Sequence, residues 1–253
     1  MNPWLIGLPL TLAATAAVTA YGAAHPRSQL FGPLIWRTNS RRSLAITFDD
    51  GPNPKITPEL LNLLDRFHAR ASFFVIGRFA RECPDLLHEI VQRGHTVGNH
   101  TLSHPNLFLR SARQIREELQ QCNEAIFAAT GASARWFRPP FGTRNPWVIS
   151  EAQALGLDTV LWTLLPGDWR GKPSGWLIKR LEVIANHAQS AASSGEISES
   201  GHGDILCLHD GNHRFLNGDR LATLAALQHW LPRWRDLGLE FVTINEAVNA
   251  PAR

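Results

Sequence analysis

Several things are scarce in this chain, and each scarcity closes off a class of protein. Only three cysteines occur, Cys83, Cys122 and Cys207, an odd number at wide and unrelated spacings. A disulfide framework or a CxxC zinc site is thereby excluded, and buried or incidental thiols are expected. Long runs of basic residues are missing, and the formal net charge is only +3. Nothing in that balance calls for nucleic acid. No GxGxxG or Walker-type loop follows any apolar run, so a nucleotide-binding sheet is disfavoured. No internal repeat is apparent.

What is present suffices for one sizeable core, since 253 residues carry 44% hydrophobic content. Residues 4–24 contain no ionisable charge apart from Tyr21 and are rich in Leu, Ala, Val and Ile, about the length needed to cross a bilayer. An N-terminal membrane anchor is expected, with a cleaved signal leading to a secreted or periplasmic protein as the alternative. The division expected is a hydrophobic segment over 1–26, a linker over 27–43 and one catalytic-size domain over 44–250.

From Leu44 onward, short apolar runs alternate with longer amphipathic ones. Strands are predicted over 44–48, 72–76, 96–99, 136–138, 159–162, 205–208 and 241–244. Helices are predicted over 58–67, 84–92, 112–129, 146–155, 176–188 and 220–236, three of them with proline near the start. Such alternation implies a parallel sheet with right-handed crossovers. About seven units fit an α/β fold of distorted, incomplete (β/α)7-type barrel better than an open doubly wound sheet. The small polar stretch 189–203 reads as a mobile surface loop, with a lid over the site as the other reading.

In a parallel barrel the C-terminal ends of all strands meet on one rim. The ends predicted here carry Asp49 and Asp50 after LAITF, His100 and His104 in HTLSHP, Arg138 in RPPFG, Asp168 and Trp169 in GDW, and His209 with Asp210 in LHD. Two adjacent buried acids are costly unless something cationic offsets them. If the backbone between His100 and His104 is a helical turn, both imidazoles share a face. Two imidazoles and a carboxylate leave coordination positions open, as a catalytic metal site requires. Trp147 and Trp169 lie near predicted loop ends and are the candidates for stacking on a sugar ring.

TFDDGPN, HTLSHP, RPPFG, GDW and LHD, in this order, resemble the polysaccharide deacetylases of the NodB-homology type, carbohydrate esterase family 4. The resemblance covers about residues 44–244. It implies a distorted barrel and a metal-dependent hydrolase that removes N-acetyl groups from an N-acetylated amino-sugar glycan. It also implies Asp49 as catalytic base, Asp50, His100 and His104 as metal ligands, and Arg138 as the partner that orients the base. His209 corresponds to the catalytic acid and Asp168 to the carboxylate that holds it. Phe141 stands where a backbone N–H helps form the oxyanion hole, and Trp169 would wall the acetyl pocket. The cofactor implied is a divalent metal, Zn2+ first, with Co2+, Ni2+ or Mn2+ also compatible with nitrogen and oxygen ligands. Two positions depart from the pattern: Leu165, where an acid often stands, and Cys207, where Leu is common; both bear on the substrate pocket.

Two other functions compete with this one. A non-catalytic member of the same fold would bind glycan without turning it over. A two-carboxylate glycosidase using Asp49 and Asp50 would need those acids to flank a glycosidic bond across several Å, which neighbours in sequence seldom do.

Overall fold

The computed structural model describes residues 4–193 and 201–249, with the side chains of 4–13, 191–193 and 249 outside that description. Helix α1 (Trp4–Ala24) leads into β1 (Ser43–Gly51), and strands then alternate with helices. The order continues α2 (Thr57–Arg66), β2 (Ala71–Val75), α3 (Gly77–Glu82), α4 (Pro84–Gln92), β3 (Thr96–Asn99) and α5 (Ala112–Thr130). The second half adds β4 (Trp136–Phe137), α6 (Val148–Ala154), β5 (Asp158–Thr159), α7 (Ser174–Ser193), β6 (Ile205–His209), α8 (Leu221–Asp236), β7 (Glu240–Phe241) and α9 (Ile244–Asn249).

The seven-stranded sheet is parallel in all its pairings, in the order β5-β4-β3-β2-β1-β6. Beyond β5 the chain makes a parallel bridge between Leu164 and Leu206, so the sheet curls round toward β6 in a barrel-like ring. The last strand, β7, pairs only with Ser43 and Leu44 at the foot of β1 and stays outside that ring.

Strand alternation explains where the cores lie. Leu44, Ile46 and Phe48 of β1 pack with helix residues such as Leu60, Leu64 and Leu231 in the outer layer. The intervening Ala45 lies in the inner cluster with Phe74, Trp136, Val160, Ile205 and Cys207. Every residue of β1 is buried, as expected for a central parallel strand covered on both faces. Helix α5 starts with a reciprocal capping box between Ser111 and Gln114 and ends at left-handed Gly131.

Several expectations need correction. Helix α3 was not anticipated, because GRFARE is too short to show a helical period. The strands expected over 136–138 and 159–162 shorten to two residues each, since the chain leaves the ladder to carry Arg138 and the barrel-closing segment. The final strand ends at Phe241, and Ile244 opens a helix. Part of the expected loop 189–203 is helical, because α7 runs through Ser193; residues 194–200 lie outside the described residues. The end of that stretch is no lid: Thr38 N–H donates to the Gly203 carbonyl near the start of β1, away from the C-terminal rim. Among the described residues no helix is long and apolar enough to cross a membrane.

Candidate active site

Asp49 and Asp50 stand at the end of β1, where neighbouring strand residues should face opposite sides. The pairing with β2 shifts register between Asp49 and Gly51, and Asp50 takes a left-handed conformation at φ 71°. This irregularity swings Asp50 round so that both acids enter one cavity of about 550 Å3. The turn is tight: a Cβ on Gly51 would collide with the Asp210 carboxylate. Asn53 fastens the same turn by donating from Nδ2 to the carbonyls of Asp210 and Gly218, both at 2.8 Å.

Arg138 is fully buried and its donors are well supplied. Nη1 reaches Asp49 Oδ1 at 2.8 Å and Thr47 Oγ1 at 2.7 Å, Nη2 reaches the Leu161 carbonyl at 3.2 Å, and Nε the Val160 carbonyl at 3.3 Å. The guanidinium also lies 4.1 Å over the Phe74 ring. Burial pushes the Asp49 carboxyl up, but the charges of Arg138, His100 and His209 together outweigh it, Arg138 the most, and the net position is below the ordinary value. Cys207 Sγ donates to the other oxygen, Asp49 Oδ2, at 3.2 Å.

Asp50 is approached by imidazoles. His104 Nε2 lies 3.2 Å and His100 Nε2 3.6 Å from Asp50 Oδ1. His100 Nδ1 donates to the Arg138 carbonyl at 2.7 Å, which leaves Nε2 with its lone pair facing the cavity. Burial raises the Asp50 carboxyl, yet the imidazoles around it hold it well below the ordinary range. The backbone between the two histidines is not the helical turn that the spacing suggested. Thr101 at φ 67° and His104 at φ 61° turn the chain, and Thr101 Oγ1 accepts from His104 N–H at 3.0 Å. The outcome is the expected shared side by a different backbone route.

Across the cavity, His209 Nδ1 donates to Asp168 Oδ1 at 2.9 Å and its backbone N–H to Asp168 Oδ2 at 2.7 Å. Thr223 Oγ1 adds a third donor to that carboxylate at 3.0 Å. Burial lowers the His209 imidazolium, but the Asp168 carboxylate, through its charge and its hydrogen bond, together with Asp50 and Asp49 more than offsets this, and the group is raised to about 9. Asp49 and His209 are direct register partners on β1 and β6, so a carboxylate and an imidazole flank one space.

The fit to a divalent cation rests on buried Asp50 Oδ1, which has no hydrogen-bond partner although two imidazole nitrogens face it. A carboxylate oxygen and two ring nitrogens suit a borderline cation such as Zn2+. Phe141, Leu165 and Trp169 line the cavity, with Phe141 at φ 58° and Trp169 edge-on to His209. Trp147 is exposed and lies outside that lining. His213 also enters the cavity, although the sequence offered no partner pattern for it. Thr47, Asn53 and Thr223 were likewise missed, since each acts across a large sequence separation. A second cavity of about 530 Å3 opens at the foot of β1, beside Arg37, Ser43 and Leu44, away from this convergence of groups.

A barrel-like parallel sheet carrying paired acids, imidazoles and a buried arginine on its C-terminal rim defines a carbohydrate deacetylase. The chain belongs to the polysaccharide deacetylase family, whose pattern, described as "Polysaccharide deacetylase", matches residues 37–160. Over 216 residues it is 35% identical to the peptidoglycan-N-acetylglucosamine deacetylase of Bacillus cereus, an alignment covering 85% of this chain and 92% of that protein. It is 33% identical over 202 residues to the chitooligosaccharide deacetylase of Azorhizobium caulinodans, covering 77% of this chain and 89% of that protein. Among solved structures, a CE4 family pseudoenzyme from Bacillus anthracis superposes with a TM-score of 0.70 at 26% identity, covering 85% of this chain and 68% of that chain.

Proposed function

We propose that this chain hydrolyses the N-acetyl group of an N-acetylated amino-sugar glycan, of the peptidoglycan or chitooligosaccharide kind, using a divalent metal. The observation that carries the reading is the Asp49–Arg138 pair at 2.8 Å standing beside the Asp50 imidazole cluster and opposite His209. Asp50, His100 and His104 would hold the cation, with Zn2+ first and Co2+, Ni2+ or Mn2+ as alternatives. When bound, such a cation polarises the acyl oxygen and makes water easier to deprotonate.

The residues of the chain divide the proton work. Asp49, ionised and aimed by Arg138, takes a proton from the attacking water. His209, held as imidazolium by Asp168, gives a proton to the departing amine nitrogen. The Phe141 backbone N–H supports charge developing on the acyl oxygen. Cys207, Leu165 and Trp169 shape the acetyl pocket. The glycan relatives support a cell-envelope location, secreted or periplasmic, with residues 1–26 as the N-terminal segment, 27–43 as linker and 44–250 as the deacetylase domain.

Likeness to a pseudoenzyme favours one second reading, a glycan-binding member without turnover. Acetate release from N-acetylglucosamine oligomers and peptidoglycan fragments, with defined metals, separates the two. Deacetylation predicts release by the parent and none above background by Asp49→Asn. Equal, background release by both proteins, with the oligomers still bound by the parent in calorimetry, would establish the binding reading instead.

A further inference from the structure

The Asp50 carboxylate is ringed by three imidazoles, and only two of them belong to the ligand set proposed above. The third is His213, whose Nδ1 faces Asp50 Oδ2 at 3.8 Å. Its ring stacks on that of His104, with centroids 4.6 Å apart and planes at 17°, and meets the Phe141 ring edge-on at 5.7 Å. Nitrogen atoms of His104 and His213 and an oxygen of Asp50 all lie within 4.8 Å of one another.

A separation of 3.8 Å is too long for a hydrogen bond. It is close to the spacing of two ligand atoms around one cation, about 3–3.5 Å for bonds of about 2 Å in a tetrahedral site. The loop that carries His213 is built into the site and not merely near it. Its first glycine, Gly211, rests on the backbone of Asp50, where a Cβ would collide with the Asp50 carbonyl. Asn53 holds both ends of the loop through the carbonyls of Asp210 and Gly218. Arg78 of α3 donates from Nη2 to the His213 carbonyl, fixing the residue itself. Two segments distant in sequence, the turn after β1 and the start of α3, therefore hold the His213 loop against a carboxylate whose Oδ1 lacks a partner.

We infer that His213 is a further protein ligand of the divalent cation held by Asp50, His100 and His104, supplying a third imidazole. The inference rests on the metal reading given above. Its consequence is a site that grips its cation more tightly than two histidines and one carboxylate can, with a bias toward imidazole-preferring metals. A third imidazole also occupies a coordination position, so fewer remain for water and substrate.

The test uses the full chain, stripped with a chelator and reloaded. Zn2+ affinity is measured by competition with a chromophoric chelator, and coordination by the visible absorption of the Co2+ form. The expected result for His213→Ala and His213→Gln is a Zn2+ Kd weakened by at least about tenfold, with an altered Co2+ spectrum. His213 has 34% of its side chain exposed, so both variants should keep the parent thermal transition in the metal-free state. An unchanged Kd and spectrum in both variants, with one equivalent bound by the parent, overturns the inference and leaves the metal reading standing. A raised KM with unchanged Kd also overturns it, by making His213 a glycan contact. No binding by the parent overturns both.

Discussion

The Cys207 thiol and the Asp49 carboxylate are hydrogen-bonded across the β1–β6 pair, Sγ to Oδ2 at 3.2 Å, while Arg138 holds Oδ1 at 2.8 Å. Both oxygens of the proposed base are thus engaged by the barrel interior. Burial raises the Cys207 thiol far above its ordinary value, and the negative charge of Asp49 adds to the effect. Cys122 is fully buried and pushed up to about 12, whereas Cys83 is half-buried. A thiol-reactive disulfide reagent at pH 8 should therefore modify no more than Cys83 in the native protein and all three thiols after denaturation. Rapid native labelling of Cys207, located by mass spectrometry, would contradict the geometry.

The two adjacent acids should fail in different ways. Asp49→Asn is expected to retain Zn2+ with a Kd close to that of the parent and to lose about 100- to 10,000-fold in kcat. Asp50→Asn should lose metal first, and activity as a consequence. Metal stoichiometry by atomic absorption, measured beside acetate release, separates the cases. Equal metal content in the two variants would refute the division of labour.

His209 donates to Asp168 and is raised to about 9, so its imidazolium persists well above neutrality. As a proton donor it works below that value, and kcat should fall about tenfold per pH unit above it. Replacing Asp168 by Asn removes the charge that raises the group, and the alkaline limb should move toward lower pH. The metal-free proteins, followed by NMR of the His209 ring, report the same displacement without turnover. An alkaline limb unmoved by Asp168→Asn would detach it from His209. The raised value also links to stability: the contribution is fully present below the ordinary value near 6.5 and is lost as pH rises through about 9.

Arg144 joins the end of α1 to the rim loops. Fully buried, it donates from Nη2 to the carbonyls of Gly22 and His25 at 2.9 and 2.8 Å, and from Nη1 to that of Gly142 at 2.9 Å. Burial lowers it to about 10, still charged at neutral pH. Arg144→Met strands three carbonyls and should cost about 2–4 kcal/mol in urea unfolding. A loss under about 0.5 kcal/mol would show that α1 is not fastened there.

Much of this protein is determined by local sequence. Apolar runs ending in acids or histidines placed β1, β3 and β6, and the motif order marked Asp49, Asp50, His100, His104, Arg138 and His209, because strand periodicity and turn residues act within a few positions. Alternation also placed Cys207 on the same side as His209, where the inner cluster holds it. The shared direction of Asp49 and Asp50 was decided by tertiary structure, since a strand alone would send them apart and only the irregular pairing with β2 turns Asp50 round. The route between His100 and His104 was decided likewise, by two left-handed residues that no helical spacing foretells. His213 joined the cluster because Asn53 and Arg78, 160 and 135 positions away from it in sequence, hold its loop against Asp50. Such contacts depend on the packing of whole elements, and a linear pattern carries no record of them.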